Sequence, residues 1–284
     1  MINRAYRNIF LIGVVGLFSL ACSMTVPNNP PSIGEKQTMK ISEPVPADKE
    51  VTTAVIRMGA GKLNLNGGSD QLIEGSVVYN VPALAPTLTT GDHTLTISQV
   101  AELHASPGSD MINDWTLTLG KTPLDLSINA GAYEGKMDLG GVPLTRLTIR
   151  DGASKDVINF SKVNPEKMTL LSYFTGASDV QMLNLANANF DQMRFEGGAG
   201  NFKLDFSGTL QRNAHVEIIG GVNNIQISIP KGMPTKIDLS KSFSNIDTDG
   251  TWTIHHKVYE TEGNGPMLTM DVQSGMANVQ LIQK

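Results

Sequence analysis

The chain has 284 residues, of which 40% are hydrophobic and 17% charged, so it can bury a sizeable core and is not a disordered polymer. Its 22 basic and 27 acidic residues give a net charge of −5, which argues against a nucleic-acid binder. A single cysteine excludes an internal disulfide and a cysteine-based zinc cluster.

Residues 1–21 read as a secretory signal peptide. Arg4 and Arg7 precede an apolar run from Ile9 to Leu20, and the small Ala21 precedes Cys22. The run is too short for an ordinary spanning helix, which needs about 20 residues. The segment Leu17-Phe18-Ser19-Leu20-Ala21-Cys22 resembles the bacterial lipobox, departing from it at Ser19, where leucine is usual. The resemblance implies cleavage before Cys22 and acylation of its thiol. Several acyl chains on one residue hold a protein at a membrane, at about 0.8 kcal/mol per buried CH₂. Removal of Arg4 and Arg7 takes the net charge to −7, so anionic lipid would not retain the mature chain by charge. Residues 22–50 then read as the lipidated N-terminus and a disordered linker. Pro27, Pro30, Pro31, Pro44 and Pro46 make it extended and semi-rigid.

From residue 51 to 284 a short unit recurs. Gly59, Gly131, Gly152, Gly176, Gly198, Gly221 and Gly275 mark it, with Ser242 in a weaker copy. Apolar residues stand five and three positions before the marker, as in Leu126 and Ile128, Leu147 and Ile149, or Met193 and Phe195. They stand again four and six positions after it, as in Leu63 and Leu65, Phe202 and Leu204, or Val279 and Leu281. Such alternation puts one side of a strand in a core and the other in water. Asn64, Lys136, Gln181, Lys203, Gln226 and Gln280 share one outward position. The unit around Gly176 loses phase after Met182.

Within residues 124–284 the markers are spaced by 21, 24, 22, 23 and 21 residues up to Ser242. Two strands per unit at this period predict an all-β fold, a single β-solenoid of parallel coils. An antiparallel sandwich would also alternate, but it does not require glycine at a fixed offset in unit after unit. Residues 51–123 form the N-terminal part, in which extra strands around Val77 to Val81 and Leu95 to Ile97 predict a cap or hairpin, with the coil at Gly59 in the same stack. The gap from Ser242 to Gly275 predicts a projecting loop or hairpin. The last coil, Asn278 to Gln283, is expected to expose a strand edge that invites self-association or an envelope-protein partner.

The segment Ile56-Arg57-Met58-Gly59-Ala60-Gly61-Lys62-Leu63-Asn64-Leu65, with Glu74-Gly75 and Tyr79-Asn80-Val81-Pro82 after it, resembles the start of bacterial toast-rack domains. The Gly-Ala-Ser units, Ala188-Asn189-Phe190, and Gly197 to Gly200 with Leu204 to Gly208 resemble the same family. Related "putative adhesin" domains share the stacked architecture. The resemblance implies an extracytoplasmic envelope protein with no established catalytic motif.

A search for chemistry agrees. Asp138 and Asp205 share an offset, but three coils separate them, about 14 Å, whereas glycosidase pairs sit at roughly 5–10 Å. Asp151 and Asp156 flank one bend and could approach each other. Adjacent His255 and His256 would face opposite sides of a strand, a poor shared metal site. Asn245 to Gly250 matches the first half of a calcium loop, but His256 stands where the bidentate glutamate is needed. The methionines Met168, Met193 and Met270 occupy core offsets. Tyr133, Trp115, Trp252 and Tyr259 are the exposed aromatic candidates. No catalytic residue, metal or cofactor is expected, and Cys22 is the one modified site. The expected function is that of a membrane-anchored lipoprotein serving adhesion, scaffolding or envelope sensing, on the cell surface or in the periplasm. A carbohydrate-binding or carbohydrate-cleaving solenoid is the alternative.

Overall fold

The computed structural model describes residues 32–48, 50–99, 110–242 and 245–284. The signal peptide, Cys22 and the start of the linker lie outside them. In chain order the strands are β1 (Gln37–Glu43), β2 (Thr52–Gly67), β3 (Ile73–Tyr79), β4 (Thr87–Gly91), β5 (Thr94–Ser98), β6 (Asn113–Leu119), β7 (Leu124–Asp138), β8 (Leu144–Asn159), β9 (Met168–Leu183), β10 (Phe190–Asp205), β11 (Ala214–Ile229), β12 (Thr235–Ser242), β13 (Asn245–Asp249), β14 (Thr253–His255), β15 (Val258–Thr261) and β16 (Leu268–Gln283).

The long strands β2, β7, β8, β9, β10, β11 and β16 stack in parallel in that order. Each is one continuous strand of 15 or 16 residues bent at its marker glycine, where the sequence pattern suggests two strands per unit. The register aligns the markers: Ala132 faces Ala153, Ala177 faces Ala199 and Val222 faces Met276, each one residue past its glycine. Sterics explain why glycine recurs there. A Cβ on Gly176 would stand 2.5 Å from the Gly152 carbonyl oxygen, and one on Gly221 2.3 Å from that of Gly198. At Gly176, Gly198 and Gly221 no side chain fits without separating the coils, whereas at Gly131, Gly152 and Gly275 the contact would be 3.0–3.2 Å.

The two arms of each bent strand face each other across the core. Ile128, Ile149, Tyr173, Phe195 and Ile218 line one arm, and Val180, Phe202, Ile225 and Val279 the other, all buried. Tyr173 stacks on Phe195 with ring centroids 5.4 Å apart, and Phe195 meets Phe202 across the core at 4.9 Å. The return connections close a third side with Leu139, Phe160, Leu185, Phe206 and Ile229. The loss of phase after Met182 is such a connection: a short helical turn at Leu185–Ala188 carries Leu185 and Ala186 into the core. Buried asparagines satisfy these turns. Asn164 Nδ2 donates to the carbonyls of Leu144 and Ala188 at 2.8 and 3.1 Å, as buried polar backbone requires.

The N-terminal cap forms as expected, but it reaches into the segment read as linker. Residues 37–43 form β1, antiparallel to β3, which is antiparallel to β6 on the second arm of β2. Alternation explains it: Ile41 is buried and Met39 packs against the core, between polar neighbours. The antiparallel pair β4–β5 covers the first arm of β2.

The C-terminal end also departs from expectation. β16 is not the terminal coil. It lies between β11 and β12, with β13 on its second arm, so its edge is already paired. The regular coils therefore do not run on through Ser242. β12 buries Ile237 and Leu239 on the first arm, whereas the short β13 brings only a partly buried Ile246 to the second. β16 is apolar on both arms and brings Gly275 against Gly221, so it takes the interior place. The expected projection is a β14–β15 hairpin with His256 and Lys257 in its turn, both at positive φ (49° and 65°).

Candidate functional site

Parallel register converts the repeat into rows of identical spacing. On the outer face of the second arm, one row runs Asn64, Lys136, Val157, Gln181, Lys203, Gln226, Gln280 and Asp247. This contains all six residues given a common outward position by the sequence. The neighbouring row runs Lys155, Asp179, Asn201, Asn224, Asn278 and Asn245. From Lys155 and Val157 to Asn278 and Gln280, both rows line a groove of about 570 Å³ along the stack.

The second row is an amide ladder. Asn278 Nδ2 donates to Asn224 Oδ1 at 2.9 Å, Asn224 Nδ2 to Asn201 Oδ1 at 2.9 Å, and Asn201 Nδ2 to Asp179 Oδ1 at 2.6 Å. Each amide therefore has a fixed orientation and keeps a second N–H for solvent or ligand. The row beside it presents Gln181, Lys203, Gln226 and Gln280 at one strand spacing each, about 4.8 Å. The arrangement offers ordered amide donors and acceptors, interspersed with the charged groups of Lys155, Asp179, Lys203 and Asp247.

Beneath one end of the groove, the strand register brings Asp151 and Asp156 together, as their flanking of one bend allows. Tyr173 Oη lies 2.7 Å from Asp151 Oδ2 and 2.5 Å from Asp156 Oδ2, and Tyr133 donates to the same Asp156 oxygen. Asp156 occupies the core column four residues past its marker, where other coils carry Val180, Phe202 or Ile225. Burial pushes its carboxyl up to about 6, against the opposing pull of the two phenols. Burial likewise holds both phenols well above the usual tyrosine range, so they stay protonated. The sequence signal for this cluster is the charged residue in an apolar column, beside Gly135 in the next coil.

The other candidates stay apart. Asp138 and Asp205 each cap their own turn, accepting from Gly140 N at 3.0 Å and Ser207 N at 3.0 Å. His255 and His256 are exposed on the hairpin, and Asn245 to Asp249 is extended as β13, not coiled around an ion. Of the aromatics read as exposed, Trp115, Tyr133 and Tyr259 are buried and Trp252 is half-buried, so they offer no stacking platform. A group that sequence reading missed is Asp48, Glu50 and His93: His93 Nε2 lies 3.2 Å from Asp48 Oδ2 and 3.8 Å from Glu50 Oε2, an exposed pairing of the β4–β5 turn with the segment before β2. Three separate chain positions meet there, and no motif marks them. No helix among the described residues is long and apolar enough to cross a membrane.

The fold defines a β-solenoid with polar side-chain ladders outside and a continuous apolar core. Residues 29–170, half of the chain, match the family model described as the N-terminal domain of toast_rack, DUF2154, and the chain belongs to the toast-rack family. It is similar to a solved structure named a "putative cell adhesion protein" from Clostridium sporogenes ATCC 15579, at 19% identity over 88% of this chain and 99% of that one, with a TM-score of 0.48. It is also similar to a "putative adhesin" from Bacteroides fragilis NCTC 9343, at 9% identity over 88% of this chain and 98% of that one, with a TM-score of 0.39. No curated protein matches the chain.

Proposed function

We propose that the protein is a non-catalytic lipoprotein of the cell envelope, held by acylated Cys22, that acts as an adhesion, scaffold or sensing module. The amide-lined groove carries this reading. Its side chains are ordered before any ligand arrives, so little conformational entropy is lost on contact. Of the paired carboxylates, Asp156 is buried and Asp151 is only partly open to water. Protein contact through the groove is tested by crosslinking intact cells and identifying captured proteins by mass spectrometry, with Cys22→Ser as the control. A specific membrane-protein partner lost with the anchor supports the reading. Recovery of envelope glycan alone, with or without the anchor, overturns it.

That second outcome has its own support. The amide rows repeat at about 4.8 Å, close to the advance of one pyranose ring along an extended glycan. An extended peptide advances about 3.3 Å per residue and does not match. Titration of the protein with soluble envelope glycan, followed by amide NMR, would show shifts confined to Asn201, Asn224 and Asn278 if the glycan reading holds. No shift at saturating glycan would remove it.

A further inference from the structure

Three oxygen–oxygen contacts run in line inside the wall formed by β7, β8 and β9. Tyr133 Oη meets Asp156 Oδ2. Tyr173 Oη lies 2.5 Å from the same oxygen and 2.7 Å from Asp151 Oδ2. A phenol carries one proton. Two phenols supply two protons for three contacts, so with both carboxylates ionised one contact would set lone pair against lone pair. A carboxyl must provide the third proton.

The surroundings select which carboxyl. Asp151 Oδ1 accepts from Thr175 Oγ1 at 2.5 Å and Ser178 Oγ at 3.2 Å, and Asp151 is partly open to water. Asp156 is 1% exposed, and its Oδ1 has no hydrogen-bond partner. With the proton on Asp156 every contact in the line is satisfied: Tyr133 donates to Asp156, Asp156 donates to Tyr173, and Tyr173 donates to Asp151. We propose that Asp156 and its two tyrosines form a proton-binding site that couples the stability of the coil wall, and of the groove above it, to external acidity.

The groups facing Asp156 contain no cation. From β7 they are Tyr133 and the Gly135 backbone, from β8 Asp151, and from β9 Tyr173. Ser154 lies 3.2 Å from Tyr173 Oη, and Ser178 and Thr175 complete the Asp151 side. The charged neighbours Lys155 and Asp179 line the groove on the outer face. Asp156 itself lies between Lys155 and Val157 of the groove floor, so a change in its charge acts directly beneath the ladder.

The carboxyl sits at about 6 when folded against 3.8 as its reference value. The folded state therefore binds the proton more tightly. Its stabilising effect is fully present below pH 3.8 and is lost as pH rises through about 6. Two units correspond to a change of about a hundredfold in the folding equilibrium constant.

The test uses the full chain in detergent, with aspartate carboxyl carbons labelled for NMR titration. The Asp156 signal, assigned by its loss in Asp156→Asn, is expected to titrate near pH 6. Denaturant unfolding between pH 4 and pH 7 is expected to show a decline in stability that Asp156→Asn lacks. A carboxyl midpoint below about 4.5 overturns the proposal, as does the same decline in the variant. If Asp156→Asn does not fold, proton exchange on unfolding the unaltered chain at pH 5 decides. Net release supports the site, and uptake or no exchange overturns it.

Discussion

Gly135 stands directly opposite Asp156 in the β7–β8 register, and a methyl on Gly135 would lie 2.3 Å from Asp156 Oδ1 and 2.9 Å from the Tyr133 ring. The missing side chain is what admits a carboxylate and a phenol into a column otherwise filled by branched or aromatic groups.

Gly135→Ala is therefore expected to destabilise the protein by about 1–3 kcal/mol, the usual effect of overpacking. It should also displace the Tyr133 ring. Urea unfolding measures the first, and the tyrosine near-ultraviolet circular dichroism reports the second. A variant as stable as the parent would mean that the wall yields freely there.

The glycine column makes a sharper prediction. Gly176→Ala places a Cβ 2.5 Å from the Gly152 carbonyl oxygen, backbone that a neighbouring strand cannot withdraw. We expect a loss of at least about 2 kcal/mol, with Ala177→Ser at the exposed next position nearly neutral. Equal effects at the two positions would show that close coil approach is not what selects glycine.

Asn164 joins three turns. Its Nδ2 donates to Leu144 and Ala188, and its Oδ1 accepts from Leu144 N and Glu166 N at 3.1 and 3.0 Å. Asn164→Ala takes a partner from the Leu144 and Ala188 carbonyls and from Glu166 N, while Leu144 N keeps its bond to Val142 O at 2.9 Å. The cost is about 1–3 kcal/mol for each buried group left unsatisfied. Thermal unfolding is expected to show a large drop in Tm, and Asn164→Leu should do no better despite its apolar volume. A mild effect in either variant would imply that water replaces the amide.

In the exposed ladder the same chemistry has a small structural effect. Asn224→Ala removes hydrogen bonds to Asn201 and Asn278. Exposed groups regain water, so stability should change by less than about 1 kcal/mol. Partner or glycan capture should weaken several-fold, because the ladder loses its middle amide and Asn278 loses its ladder bond, while Asn201 stays held by Asp179. A capture assay beside a stability assay separates the two roles. Unchanged capture would move the binding surface elsewhere.

Much of the architecture is legible because stacking forces repetition. The alternation around Leu147 and Ile149 and the recurrence of Gly152, Gly176 and Gly198 each reflect a neighbour that the next coil supplies. The outward row from Asn64 to Gln280 follows from the same register. Three features are not local and escape that logic. β1 is held by a partner more than thirty residues away in sequence, Gln37 facing Tyr79, so a proline-punctuated segment concealed it. The order of β16 and β12 depends on which strand can fill both arms of a coil, a competition between segments rather than a property of either. Tyr133 looks like a bend residue, yet the space over Gly135 draws it inward. Of the candidate site, the pairing of Asp151 and Asp156 was visible as proximity at one bend. The tyrosines that join them come from two other coils.

The interior position of β16 has a consequence for how the molecule is made. β12 to β15 leave the ribosome, and reach any export channel, before the strand they rest on exists. They must wait unpaired on that side while the earlier coils assemble on one another. Until β16 arrives the β11 edge stays open, and β12 and β13 lack the strand they pair with in the stack. Chains cut short before residue 268 would carry two unmatched edges, the kind of surface that sticks to its neighbours and that quality-control proteases recognise.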